Sequence, residues 1–496
     1  MDRPGLHAVR KALGEAGYTS DRVRRTLQTD RSLTAAPGEV VVFEHRAAGA
    51  TPLEVLIRLF LIGSTVHEGD VDASLPSIGF ERLVELGLAE RVDGGVRSSV
   101  RVVPHGDIVV ACDRGYYRDP HLDAPDVVTG VTSPAVLLAD ITVRERAGTA
   151  LDLGVGGGIQ SLLLANHCDH VVAVDVNPRA LQFSELNCGL NGVANVELRQ
   201  GSWFGPVEGE QFDIITANPP YVMSPDSTFL YRDSGMRADS LCRELVRDMP
   251  PHLAEGGYGH MLISWALREG EDWSQPLRGW LAGAQCDVWL LHYLTEDPLT
   301  QSAKWNQPLL ADGLATYDEA LDRWTDYYRR EGIDRIAFGA VILRKRSGGS
   351  NWVRADSFRA GRGSSAGQVL RVFAAEDFLR EVKDDRALLQ ERFAVVPEHR
   401  LEQHMRAVDG QWELDESTLT LTQGIEFRGT LDVNSAELLR HLDGRSTLSQ
   451  AVAKARHELG LPARDTAPLS DTAVAMARRL YQLGFLVRTT ATQKME

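Results

Sequence analysis

The sequence predicts an α/β fold with a doubly wound, mostly parallel sheet. Smaller, mostly helical units precede and follow this core along the chain. A first apolar strand ends in a glycine-rich turn at 154–158, a second ends in Asp175, and a third leads into the tetrapeptide Asn-Pro-Pro-Tyr at 218–221. Helical segments alternate with these strands, as a parallel sheet requires. Because ligands bind outside the carboxyl ends of such strands, the three strand ends predict one shared site.

The first strand end contains Gly154, Gly156 and Gly158. Glycine has no Cβ and tolerates positive φ, so the backbone can approach a ligand closely at this turn. The spacing is G-x-G-x-G and not the G-x-G-x-x-G of dinucleotide sites, which favours a nucleoside cofactor without a pyrophosphate. The pattern fits S-adenosylmethionine better than NAD, and a Rossmann dehydrogenase is the weaker alternative.

The second strand end presents Asp175, which Val176 follows directly. A carboxylate at this position can accept hydrogen bonds from both ribose hydroxyls of a nucleoside. We therefore expect the glycine turn and the segment at Asp175 and Val176 to bind the cofactor together.

The third strand end is the Asn-Pro-Pro-Tyr tetrapeptide. Its two prolines fix their own φ and push Asn218 into an extended conformation. The Asn218 side-chain oxygen and the Pro219 carbonyl can accept both N–H bonds of one –NH2 group, while the Tyr221 ring offers a flat face for stacking. These features predict Asn218, Pro219 and Tyr221 as catalytic residues acting on a planar amide or amine nitrogen, and we expect Asn218 to contact the cofactor as well.

Residues 151 to about 265 resemble class I S-adenosylmethionine-dependent methyltransferases and, within them, the release-factor glutamine methyltransferases. The segments that match this pattern are 151–158, 174–180, 200–204, and 218–221 followed by 233–236. The resemblance implies that Asp152 and the glycine loop hold the methionine portion of the cofactor and that Asp175 holds the ribose. It also implies that Asn218 and Tyr221 hold the target nitrogen.

Two segments depart from the family pattern. Ser202, followed by Trp203, stands where the family usually has an acidic residue at the adenine amino group. Ser202 is a weaker acceptor, so we expect either lower cofactor affinity or an adenine held through the Trp203 ring or a backbone carbonyl. Residues 126–134 replace the family's loop before the first strand with a divergent sequence, and we expect this segment to close over the cofactor.

Several functions remain compatible with these motifs. An N-methyltransferase acting on a protein or peptide amide or amine is favoured. An exocyclic-amine methyltransferase acting on adenine or guanine of RNA or DNA needs the same two N–H acceptors, and a small-molecule tailoring N-methyltransferase is a further alternative. The remaining class is a binding module that keeps the cofactor as a structural ligand.

Length and composition predict three domains. A chain of 496 residues with 43% hydrophobic and 25% charged residues has room for about that number. We expect an N-terminal winged-helix-like accessory domain at 1–112, the methyltransferase core at 113–346, and a linker followed by a C-terminal winged-helix-like domain at 347–496. The pattern of helix, helix and hairpin before residue 112 supports the first of these.

Charge and cysteine usage restrict the partners and the compartment. The net charge of -16 weighs against nucleic-acid binding over the whole surface, so a protein or peptide substrate is favoured while nucleic acid stays an alternative. No apolar run approaches the ~20 residues of a membrane span. Five cysteines without a C-x-x-C pair, and no apolar signal region, predict a cytoplasmic protein. We expect no metal site, and the sequence predicts no oligomeric state.

Overall fold

The computed structural model describes residues 1–29, 33, 37–114, 124–358, 363–382 and 384–489. The chain forms two compact units, the first comprising Met1–Ala139 and Glu145–Ser357, the second comprising Asp140–Arg144 and the chain from Phe358 onward. The boundary expected after residue 112 lies inside the first unit. The division into three domains stays a prediction.

The first unit begins with short helices followed by two β-hairpins. The first helix starts with Pro4 in its first turn, is capped by the Asp2 side chain, and buries Leu6, Val9 and Leu13 on one face. The hairpin expected near Gly94 is confirmed. The elements are α1 (Arg3–Glu15), α2 (Ser20–Leu27), α3 (Pro37–Arg46), α4 (Pro52–Leu56) continued by a π-helical turn (Ile57–Ile62), α5 (Glu68–Ser74), α6 (Gly79–Glu85), β1 (Ala89–Val92), β2 (Gly95–Ser98), β3 (Arg101–His105) and β4 (Ile108–Cys112).

The remainder of the first unit alternates strands and helices. Its strands after the hairpins form one eight-stranded sheet in the order β12-β10-β11-β9-β8-β5-β6-β7. The elements are α7 (Ser133–Ile141), β5 (Ala147–Leu153), α8 (Ile159–Leu164), β6 (Cys168–Asp175), α9 (Pro178–Asn191), β7 (Val196–Gln200), β8 (Phe212–Ala217), α10 (Ser240–Asp248), β9 (Leu253–Leu267), α11 (Gln275–Trp280), β10 (Cys286–Glu296), α12 (Pro298–Asn306), α13 (Leu314–Glu331), β11 (Arg335–Lys345) and β12 (Val353–Ser357).

The register of the sheet brings three strand ends together. Of the eight described strands, β11 alone runs antiparallel to its neighbours. Leu153 of β5 pairs with Val174 of β6 on one side and with Ala217 of β8 on the other. The glycine turn, Asp175 and Asn218 therefore leave the same edge of the sheet. The predicted α/β fold with a mostly parallel sheet is confirmed.

The strand β12 lies in the segment that we assigned to the linker. It pairs in parallel with β10, from Val288↔Val353 to His292↔Ser357. Its sequence, Val-Arg-Ala-Asp-Ser, has no apolar run and alternates over only four residues, which is too short a pattern to identify it as a strand.

The second unit combines helices with two three-stranded sheets, in the orders β17-β13-β18 and β14-β15-β16. Its elements are α14 (Ala366–Glu381), α15 (Asp385–Gln390), β13 (Arg392–Val395), β14 (His399–Val408), β15 (Gln411–Leu421), β16 (Arg428–Leu431), α16 (Val433–Arg440), β17 (Asp443–Thr447), α17 (Leu448–Glu458), α18 (Thr466–Gln482) and β18 (Leu486–Thr489). Within the described ranges, no helix is both long and apolar enough to span a membrane.

Candidate active site

A cavity of about 310 Å³ lies at the carboxyl ends of β5, β6 and β8. Most of the residues predicted for the site line it, while Gly158, Pro219 and Tyr221 are outside its lining. The predicted residues that line it are Asp152, Gly154, Gly156, Asp175, Val176, Ser202, Trp203 and Asn218. The structure thus brings Asn218 and all of the expected cofactor residues except Gly158 into one space.

The glycine turn uses the conformational freedom that only glycine offers. Gly154, Gly156 and Gly158 have φ of 72°, 51° and 80°, all in the left-handed region. A Cβ at Gly158 would also lie 3.0 Å from the Ser184 hydroxyl. Gly154 and Gly156 therefore shape the cavity wall, whereas Gly158 allows α8 to begin against α9.

Asp175 holds the glycine turn while it faces the cavity. One carboxylate oxygen accepts from the Gly156 amide at 2.9 Å, and the other accepts from the Asn177 amide at 2.9 Å. Burial raises the pKa of Asp175, and these backbone hydrogen bonds oppose that rise. Each carboxylate oxygen has a further lone pair, so the group can also accept two ribose hydroxyls.

Asp152 lies deeper, with only 2% of its surface exposed. Its carboxylate accepts from the Ser161 amide at 3.0 Å, from the Ser161 hydroxyl at 2.7 Å and from the Thr216 hydroxyl at 3.3 Å. Burial raises the pKa of Asp152 to about 7, although these hydrogen bonds act in the opposite direction. A cation entering the cavity would favour the ionised form.

Apolar and aromatic groups line the cavity beside Asp175. Val176 is 55% exposed although it is a large hydrophobic residue. Trp203 has a φ of 48°, which is strained for a bulky residue, and its ring lies 4.0 Å from the position that a Cβ on Gly154 would occupy. These two residues can hold a flat base, and the exposed Ser202 beside them offers a hydroxyl.

Asn218 faces the cavity from the end of β8. Across the part of the chain that the structure describes, its side-chain amide forms no hydrogen bond with another residue. Tyr221 does not line the cavity, and its ring packs edge-to-face on Phe338 with the centroids 6.3 Å apart. The Tyr221 backbone carbonyl accepts from the Ser264 hydroxyl. Asn218 therefore keeps its full capacity to bind a ligand.

The loop after the tetrapeptide forms the wall next to Asn218. The sequence pointed to this loop only through residues 233–236 of the family resemblance, and it did not indicate Leu230 or Tyr231. The residues of this loop that line the cavity are Leu230, Tyr231, Asp233 and Ser234. Asp233 is buried, forms an ion pair with Arg232 at 2.7 Å, and accepts from the Thr228 and Phe229 amides. These contacts fold the loop onto itself.

Helix α13 braces the same loop from outside. The Trp324 indole N–H donates to Asp226 at 2.9 Å, and the Tyr328 hydroxyl donates to the Met223 carbonyl at 2.7 Å. Both aromatic side chains are fully buried. The insertion between β10 and β11 therefore positions the wall beside Asn218.

The segment before α7 also lines the cavity, and the Leu230 amide of the loop after Asn218 donates to the Pro125 carbonyl at 2.9 Å. Residues 127–130 line it, as we expected for the divergent loop at 126–134. The Asn177 side chain donates to the Asp126 carbonyl at 2.9 Å, and the Val128 amide donates to the Asp113 carboxylate at 2.8 Å. This loop is thereby tied to the turn that follows Asp175.

The residues of the cavity fit S-adenosylmethionine. Asp175 suits a ribose, the exposed apolar surface of Val176 and Trp203 suits an adenine, and the buried carboxylate of Asp152 suits a cationic group. Among the described residues, no group of three or more His, Cys, Asp or Glu is placed to hold a metal ion.

Three sequence families match separate parts of the chain. Residues 131–265 match the family described as the methyltransferase small domain. Residues 15–99 and 371–488 match two different domains of unknown function, DUF7059 and DUF7782.

Curated relatives match part of the chain. Release factor glutamine methyltransferases are 41% identical over 87 residues in Aliivibrio fischeri, 31% over 164 residues in Geobacter sulfurreducens and 29% over 192 residues in Koribacter versatilis. These matches cover 17%, 28% and 32% of this chain, and 31%, 57% and 68% of the relatives. The chain therefore spans only part of the length of the first relatives that it matches. The activity of the whole protein is for this reason a proposal.

A solved structure of a ribosomal protein L11 methylase from Lactobacillus delbrueckii subsp. bulgaricus is similar at 22% identity and a TM-score of 0.23, covering 31% of this chain and 68% of that one. A likeness at that TM-score supports no argument.

The sequence matches confirm the predicted enzyme class, the predicted cofactor and the resemblance of the core to release factor glutamine methyltransferases. Residues 131–265 form a methyltransferase domain that uses S-adenosylmethionine.

Proposed function

We propose that this protein transfers a methyl group from S-adenosylmethionine to a planar amide or amine nitrogen of a protein or peptide. The observation that supports this most strongly is the position of Asn218. Its unbonded amide lines the same cavity as the glycine turn and Asp175. An acceptor nitrogen held by Asn218 would thus share one space with the cofactor.

Asn218 would orient the nucleophile. Its side-chain oxygen would accept one N–H of an acceptor –NH2 group, and the Pro219 carbonyl is our candidate for the second. An amide nitrogen is a poor nucleophile because its lone pair is delocalised. Hydrogen bonds that strengthen as positive charge develops on that nitrogen would stabilise the transition state, and fixed geometry would supply several kcal/mol more.

When bound, S-adenosylmethionine supplies an electrophilic methyl group on a sulfonium sulfur. Transfer of this group to the acceptor nitrogen would leave S-adenosylhomocysteine, and the nitrogen would release one proton to solvent. We propose that Asp175 holds the ribose, that Asp152 and the glycine turn hold the methionine portion, and that Val176 with Ser202 and Trp203 hold the adenine.

A protein or peptide acceptor is supported by two observations. The curated relatives are named for a glutamine of a release factor. The net charge of -16 disfavours a polyanionic substrate. Tyr221 stays in the proposal as a residue that supports the acceptor, although its ring packs on Phe338 in the described structure.

The flanking segments are proposed to be winged-helix-like accessory domains. In the N-terminal segment, helices α4 to α6 precede the β1–β2 hairpin, and Val66 forms an isolated bridge with Val96 beside it. In the C-terminal segment, α16 to α18 accompany the sheet of β17, β13 and β18.

A cytoplasmic location is part of the proposal and is supported by five free, buried cysteines.

The proposal is tested by transfer of tritiated methyl from S-adenosylmethionine into a fractionated lysate, with parallel samples treated with protease or nuclease. Label that protease removes from the macromolecular fraction supports the protein or peptide acceptor. Label that nuclease removes would contradict it in favour of a nucleobase amine. Label found only in small molecules would contradict it in favour of a tailoring reaction.

A further inference from the structure

We infer that the β3–β4 hairpin, which precedes the methyltransferase domain in the sequence, is a structural part of the cofactor site, and that Asn187 of α9 is the positioning residue that links them. This inference rests on the proposed function, because it assigns the site as a cofactor pocket. It gives the segment before residue 113 a specific task.

The hairpin reaches the cavity directly. Val110 of β4 lines it, and the Val110 Cγ1 atom lies 3.5 Å from the position that a Cβ on Gly157 would occupy. The Tyr18 hydroxyl of the N-terminal helices donates to the Val102 carbonyl of β3 at 2.7 Å. One wall of the pocket is therefore supplied and held by the N-terminal segment.

Asn187 connects this hairpin to the glycine turn. Its side-chain oxygen accepts from the Ala111 amide at 2.7 Å, and its side-chain nitrogen donates to the Ala111 carbonyl at 2.8 Å and to the Gly157 carbonyl at 2.8 Å. The residue has no exposed surface. Both N–H donors and the oxygen acceptor of this buried amide are thus used. The three hydrogen bonds fix the distance between β4 and the glycine turn.

Asn191, one turn later on α9, makes the same kind of contact without reaching the glycine turn. Its side chain accepts from the Val109 amide at 3.0 Å and donates to the Val109 carbonyl at 2.7 Å. Residues at i and i+4 share one helix face, so the two asparagines bond to alternate residues, Val109 and Ala111, along the edge of β4. Asn191 therefore provides a matched control for Asn187.

Ser184 on the same face adds a second, weaker link to the turn. Its hydroxyl donates to the Gly156 carbonyl at 2.9 Å. Because the Gly156 amide in turn donates to Asp175 at 2.9 Å, a shift of the turn would also displace the group proposed to hold the ribose. Asn187 and Ser184 would thus act on cofactor affinity through the backbone of the turn.

The test compares Asn187→Asp with Asn191→Asp in the full chain. Each change places an acceptor where a donor faces a carbonyl, so both variants should melt at lower temperature than the wild type. Calorimetric affinity for S-adenosylhomocysteine should fall at least tenfold in Asn187→Asp and stay within twofold of the wild type in Asn191→Asp. Equal affinities in the two variants would overturn the inference.

A milder variant keeps the test decisive if Asn187→Asp does not fold. Val110→Ala shortens the side chain that the hairpin places in the cavity wall, and it should weaken the binding of S-adenosylhomocysteine about threefold. Wild-type affinity in Val110→Ala would then overturn the inference. Failure of the wild-type protein itself to bind would overturn the proposed function, and with it this inference, whereas wild-type binding with unaffected variants overturns the inference alone.

Discussion

The cofactor side and the acceptor side of the cavity are assembled from different ranges of the sequence. On the cofactor side, Asp175 bonds to Gly156 and Asn177, which lie 19 and 2 residues away. On the acceptor side, the loop after Asn218 is held by Trp324 and Tyr328 through bonds that span 98 and 105 residues. The position of Asp175 on the first side is set by local turns and strand ends, although β4 and the segment at 126–130 reach that side from more distant parts of the sequence. The second depends on packing between segments that are distant in the sequence.

This difference predicts separable effects of mutation. Changes on the cofactor side should alter the affinity for S-adenosylmethionine or its product, whereas changes on the acceptor side should alter methyl transfer at saturating cofactor.

The largest effect is expected for Asn218→Ala. Loss of a transition-state contact to the acceptor nitrogen should lower methyl transfer by roughly 10²–10³-fold. Calorimetric affinity for S-adenosylhomocysteine should stay close to the wild-type value, because the amide is assigned to the acceptor side. Unchanged turnover would remove Asn218 from the mechanism, and a parallel loss of affinity would break the division between the two sides.

The next effect is expected for Asp175→Ala. Loss of two charge-assisted hydrogen bonds to ribose, together with the anchor of the Gly156 amide, should weaken cofactor binding by about 100-fold or more. Asp213→Ala is the control, because Asp213 also accepts backbone amides, from Gly148 and Thr149, but does so at the opposite end of the strands. Undiminished affinity in Asp175→Ala would refute its assignment to the ribose.

The pH dependence of cofactor binding tests Asp152. Its pKa is raised to about 7 by burial, so the carboxylate is mostly ionised at pH 8 and mostly protonated at pH 6. S-adenosylmethionine has a net positive charge, so its affinity should fall by up to about tenfold as the pH drops from 8 to 6. In Asp152→Asn the same calorimetric titration should show little pH dependence. An equal slope in both proteins would contradict the assignment.

The smallest effect is expected at the brace of the acceptor side. Tyr328→Phe removes one hydrogen bond to the Met223 carbonyl, worth about 1 kcal/mol, and should lower methyl transfer about two- to fivefold without changing affinity for S-adenosylhomocysteine. In the control Tyr317→Phe, the lost bond lies within the insertion, to the Ala303 carbonyl, and transfer should be unaffected. Equal activities in the two variants would show that the brace has no role in the reaction.

The same contrast explains what the sequence could predict. Glycine spacing, strand ends and the Asn-Pro-Pro-Tyr tetrapeptide are local patterns, so the mostly parallel sheet and the placement of Asp175 and Asn218 at one edge were predictable. Whether each of these residues has its assigned role stays a prediction. The contribution of Val110 through a buried Asn187 was not predictable, because an asparagine in the middle of a helix does not indicate which distant strand it contacts. The orientation of Tyr221 toward Phe338 likewise depends on the packing of β11.

The proposed division between the two sides is tested most directly by a crystal structure of the protein with S-adenosylhomocysteine. The ribose hydroxyls should lie within hydrogen-bond distance of the Asp175 carboxylate, the adenine against Val176 and Trp203, and the sulfur on the side of the cavity that Asn218 lines. A product molecule bound elsewhere, or bound in this cavity with its sulfur directed away from Asn218, would contradict the account.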